Sequence, residues 1–99
     1  MPPFLFPAAP IKPTLKELMR ELKGKAADWE DIGVELEIDG GDLKQIKTDN
    51  PNDSKSCLRE LFSKWLLKVN PEPSWTAIVD AVKNCGDEEL ASKIKSKYC

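Results

Sequence analysis

Histidine is absent from this 99-residue chain, and with it the commonest general base and the commonest metal ligand. Cysteine is scarce: Cys57, Cys85 and Cys99 form no CxxC pair and are odd in number. That argues against a disulfide framework or a zinc site and for reduced thiols in a cytoplasmic compartment. No apolar run approaches the ~20 residues that a bilayer-spanning helix needs, so no membrane insertion by this segment is expected. The opening MPPFLFPAAP is apolar, but it has no basic start and carries four prolines. It does not read as a signal peptide. There is no Gly-rich phosphate loop, and no serine or cysteine has a visible base partner. Glu30 and Asp31 are adjacent carboxylates, but neighbours diverge by ~100° around a helix and do not converge on a substrate. The chain is therefore read as no enzyme, with no cofactor, no metal and no small-molecule substrate. A net charge of −2 gives no whole-chain pull toward nucleic acid or an anionic membrane.

What remains is one soluble domain's worth of sequence. The length fits a single domain, and such a chain buries roughly two thirds of its unfolded surface. Hydrophobic residues make up 40% and charged residues 32%, as in ordinary globular domains. Residues 1–13 read as a stiff, extended Pro-rich leader or linker, with Phe4, Leu5 and Phe6 either docked on the domain or free.

From Thr14 onward the pattern is helical. Thr14 and Glu17 form a capping box, Leu15, Leu18, Met19 and Leu22 share one stripe, and Gly24 is the expected stop. Asp28 is the expected cap of a second helix carrying Trp29, Ile32, Gly33 and Leu36 inward. A mid-helix glycine costs about 1 kcal/mol relative to alanine, so Gly33 marks a site where another helix passes close. Gly40-Gly41 reads as a break before a short third helix with Leu43 and Ile46. After the turn formers of residues 49–53, the longest helix is expected to run to about Val69, with Cys57, Leu58, Leu61, Phe62, Trp65, Leu66 and Val69 inward. Pro71 and Pro73 end it. Ser74 caps a fifth helix with Trp75, Ile78, Val79 and Val82, and Gly86 closes it in a left-handed conformation. Asp87 opens a sixth, acidic at its start and lysine-rich at its end, which complements the helix dipole. Its inner face is Leu90, Ala91, Ile94 and Tyr98. No window alternates as a strand does, so the predicted class is all-α.

The order and spacing of these pieces resemble the death domain family. The matching residues are Trp29-x-x-Ile32-Gly33-x-x-Leu36, Leu43-x-x-Ile46, and Cys57-Leu58-x-x-Leu61-x-x-x-Trp65. They continue with Ser74-Trp75-x-x-Ile78-x-x-Ala81-Val82 and end with Leu90-Ala91-x-x-Ile94, covering residues 14–99. The two tryptophans, one in the second helix and one opening the fifth, separate this pattern from the caspase-recruitment and death-effector types, and the Arg-x-Asp-Leu element of the latter is missing. The closing LASKIKSKYC is similar to death domains at the ends of multidomain receptor or ankyrin-repeat scaffold proteins of invertebrate animals. The resemblance implies a six-helix antiparallel Greek-key bundle. It also implies homotypic association with other death-domain proteins, or with its own copies, in apoptotic or innate-immune signalling.

Charge is segregated along the chain. Residues 28–42 hold Asp28, Glu30, Asp31, Glu35, Glu37, Asp39 and Asp42 with no lysine or arginine. The first helix and its flanks hold Lys12, Lys16, Arg20, Lys23 and Lys25, and the fourth holds Lys55, Arg59, Lys64 and Lys68. A molecule with separate faces of opposite sign can associate head to tail. By position in the family pattern, the candidate protein-binding residues are Lys16, Arg20, Arg59 and Lys64 on one side, with Glu30, Asp31 and Glu35 on the other. A solvated face is the plainer reading of any one of these charges. A second functional reading is a helix-turn-helix-like nucleic-acid binder using residues 74–99. The acidic balance and the absence of arginine from those helices weigh against it.

Overall fold

The computed structural model describes residues 12–69 and 72–99. The expected Pro-rich leader therefore lies outside the described residues except for Lys12 and Pro13. Among the described residues there are six α-helices and no strand, as the periodicity predicts. They are α1 (Leu15–Leu22), α2 (Trp29–Glu35), α3 (Gly40–Asp49), α4 (Ser54–Trp65), α5 (Trp75–Asn84) and α6 (Glu88–Tyr98). A 3-10 helix, Lys23–Asp28, joins α1 to α2.

Side-chain caps start most of the helices. The Thr14 hydroxyl accepts from the Glu17 amide at 3.2 Å while Glu17 Oε1 accepts from the Thr14 amide at 3.2 Å, which closes the expected capping box. Asp39, Asp53, Ser74 and Asp87 each accept from an amide in the first turn of the following helix. Gly86 has φ +95°. Its amide donates to the Lys83 carbonyl and the Asp87 amide to that of Val82, the paired bonds that close a helix through a left-handed residue. The same bonds close α2, from Glu37 to Val34 and from Ile38 to Gly33. There the left-handed position is taken by Glu37, at φ 61°, a residue whose Cβ disfavours that conformation.

The first α-helix ends at Leu22 with Lys23 as its cap, just before the expected stop at Gly24, and the chain continues as the 3-10 helix. Three local expectations are corrected. Asp28 makes no capping bond to α2, because its carboxylate pairs with Lys25 at 3.1 Å. Gly40 and Gly41 are the first turn of α3 rather than a break, since Asp39 caps them. The fourth helix ends at Trp65, not near Val69: the Leu67 and Lys68 amides turn back to the Lys64 and Trp65 carbonyls. Val69 consequently lies 88% exposed instead of inward.

The core is contiguous and contains no buried polar residue among those described. α4 lies at its centre and packs on α1, α2, α3 and the 3-10 helix, while α5 packs on α2 and α6. Trp29, Trp65 and Trp75 are all buried, as are Leu58, Leu61 and Phe62. The close approach expected at Gly33 is present. A Cβ there would lie 2.5 Å from Leu43 Cδ2 and 3.0 Å from Leu61 Cδ1, so its missing side chain lets α3 and α4 close on α2.

Candidate protein-interaction surfaces

The two faces anticipated from charge stand on different helices of the bundle. α1 packs against α4, and this brings Lys16 and Arg59 to one groove of 470 Å³, whose remaining lining is Leu15 and Met19. Leu15 and Met19 are one helical turn apart and half-buried against the core. Lys16 and Arg59 are exposed, so the groove has an apolar floor and a basic rim.

The other two basic candidates are placed differently. Arg20 turns toward α6, where its guanidinium donates to the Tyr98 hydroxyl at 3.1 Å. Lys64 is half-buried in the last turn of α4. The structure thus assembles Lys16 with Arg59 and directs Arg20 to the α1–α6 seam.

On the acidic side, Glu30, Asp31 and Glu35 are all exposed on α2. Tertiary neighbours reduce the run that looked unopposed in the sequence. Lys47 of α3 reaches Glu30 at 3.8 Å, Lys25 pairs with Asp28, and Asn84 of α5 donates to Glu35 Oε1 at 2.9 Å. Among the described residues, no lysine or arginine lies within ion-pair distance of Asp31 or Glu35. Burial, then Asp31, Glu35 and Asp28, push the Cys85 thiol up from its ordinary range. The field around it is acidic despite the nearby lysine. Cys57 is pushed up chiefly by burial and by Asp53. Neither thiol is activated as a nucleophile.

Sequence reasoning missed a polar latch between α1 and α6. Glu21, only 7% exposed at its side chain, accepts from Lys97 Nζ at 2.7 Å and from the Tyr98 hydroxyl at 2.8 Å. Tyr98 stacks on Trp75 with ring centroids 3.8 Å apart. The signal was hidden because partners so far apart in sequence leave no local periodicity. Lys97, then Tyr98, hold the Glu21 carboxyl below its usual range, against the opposing effect of burial.

A folded pKa below the unfolded one means that Glu21 stabilises the protein fully above its unfolded pKa, ~4.3. That contribution is lost as pH falls through the lower folded value. Glu21→Gln is expected to cost about 1–2 kcal/mol at pH 7 and to flatten the fall of stability below pH 5. Urea unfolding of both proteins across pH 2.5–7 checks this; parallel curves would remove Glu21 from the acid response.

The family model described as Death domain matches residues 12–98. The chain belongs to the death domain family. No curated protein and no solved structure matches the chain. Family membership makes this death domain a protein–protein interaction module in signalling, and death domains engage other death-domain proteins. No described helix is long and apolar enough to cross a membrane.

Proposed function

We propose that this death domain associates head to tail with a second death domain, its own copies included. The Lys16–Arg59 groove on α1 and α4 meets the α2 face bearing Asp31, Glu35 and Glu30; Arg20, turned to the α1–α6 seam, and Lys64 stand outside the groove lining. The observation that carries this reading is the shared groove. Two cations from helices far apart in sequence rim one depression, while Asp31 and Glu35 have no basic partner among the described residues. Complementary charges of this kind set orientation and association rate, and one copy presents both halves of the contact. The setting we propose, from family membership, is a cytosolic signalling assembly of apoptotic or innate-immune type.

Light scattering behind gel filtration tests the proposal. Wild-type mass is expected to rise with concentration and to fall with salt, because exposed charges are screened over ~10 Å at 0.1 M. Arg59→Glu and the double variant Glu30→Lys, Asp31→Lys should each be monomeric alone. Mixed, they should form a 1:1 pair through their one remaining intact face each. A strict monomer in wild type and mixture alike would sink self-association.

A further inference from the structure

The proposed charge contact leaves two apolar features unexplained, and they fit one another. Val34 is a large hydrophobic residue on the outer side of α2, 61% exposed. It follows Glu30 by four residues and Asp31 by three, the spacings that place side chains together on a helix surface. Val34 is thus an apolar knob flanked by two carboxylates. The groove on α1 and α4 is the converse: Leu15 and Met19 form its floor, and Lys16 and Arg59 its rim.

We propose that Val34 is the apolar anchor of the head-to-tail contact and seats on Leu15 and Met19 in the groove of a second copy of this chain. The flanking carboxylates Glu30 and Asp31 then meet Lys16 and Arg59. Leu67 and Val69 are more exposed still, but they lie past the end of α4 beside Lys68, not on the α2 surface that carries Glu30 and Asp31. Charge complementarity selects the occupant: a knob flanked by carboxylates fits a basic-rimmed groove, and this chain carries both. Interfaces concentrate their energy in a few central, desolvated side chains inside a polar rim, so the charges orient the pair and Val34 holds it. The anchor rests on the charge-contact reading above, and its test separates the two.

The probe is the 1:1 pair formed by Arg59→Glu, which keeps α2 intact, and by the Glu30→Lys, Asp31→Lys variant, which keeps the groove intact. Affinity is measured by titration calorimetry from 50 to 300 mM salt. Adding Val34→Ala to the first partner deletes two methyl-sized groups from the contact. It should weaken the pair about tenfold and leave the dependence of affinity on salt unchanged. Val34→Thr, which keeps the branched shape but puts a hydroxyl into the groove, should weaken it comparably, and so should Met19→Ala in the second partner. Both Val34 variants should fold, since the position is largely exposed, and thermal unfolding of each monomer verifies it. Salt-dependent pairing with Val34→Ala and Val34→Thr within twofold of the parent overturns the anchor and leaves the charge contact standing. Pairing that ignores salt but falls with Val34 variants overturns the charge contact and keeps the anchor. No pairing at any salt overturns both.

Discussion

Trp75→Ala is expected to lower the melting temperature by about 20 °C. Replacing a fully packed tryptophan by alanine costs about 3–5 kcal/mol, and in a domain this size each kcal/mol is worth roughly 4–8 °C. Trp75 is 3% exposed, opens α5, and carries the Tyr98 ring stacked against it. Losing the indole therefore also loosens the last turn of α6 and the Glu21 latch. Total stabilities of domains are about 5–15 kcal/mol, so the variant is left close to the edge of folding. Trp75→Phe separates packing from hydrogen bonding. The indole N–H has no partner among the described residues, so phenylalanine loses volume but no bond, and its cost should be about half that of alanine. Thermal unfolding followed by circular dichroism decides it. A fall of less than about 5 °C for Trp75→Ala would show that Trp75 does not hold α5 to α6.

Gly33→Val is expected to destabilise by about 2–3 kcal/mol, whereas Gly33→Ala should change stability by no more than about 1 kcal/mol. The alanine Cβ would press on Leu43 Cδ2 and Leu61 Cδ1. These are side-chain ends, able to shift by a small rotation, and alanine regains about 1 kcal/mol of helix propensity. Valine adds two more groups where Leu43 and Leu61 are already buried, and overpacking of that kind costs about 1–3 kcal/mol. It has little propensity gain to set against the clash, because β-branched side chains are constrained in helices. Pushing α2 off α3 and α4 also moves Asp31, Val34 and Glu35, so the paired affinity above should fall with the stability. Urea midpoints for the three proteins test the ranking; equal midpoints for valine and glycine would mean the seam is looser than the 2.5 Å approach implies.

Local chemistry was legible in the sequence wherever one segment decides its own conformation. The Thr14–Glu17 box, the Ser74 cap, left-handed Gly86 and the inward stripe of α4 up to Trp65 depend on residues within a turn of one another, and the sequence shows them directly. Gly33 was legible for a related reason: a residue that weakens its own helix signals a neighbour that needs the space. Misreadings fell where two local arrangements compete and the residue types fit both. Asp28 has the right type and place for a cap, yet Lys25, three residues earlier, takes its carboxylate. Val69 continues the apolar spacing of α4, yet the chain turns at Leu66 and carries it outward.

The candidate site divides along the same line. Sequence alone determined the fold class, the helical order, the three buried tryptophans and the sign of charge on α2 and α4, because periodicity and composition are properties of contiguous residues. Only the tertiary structure decided which charges act together. It seats Lys16 with Arg59 over Leu15 and Met19 and draws Arg20 to Tyr98. It also sets Lys47 against Glu30 and leaves Val34 exposed on α2. The physical reason is that a charge's effect depends on what lies within a few ångströms of it, and that neighbourhood is set by helix packing rather than by position along the chain.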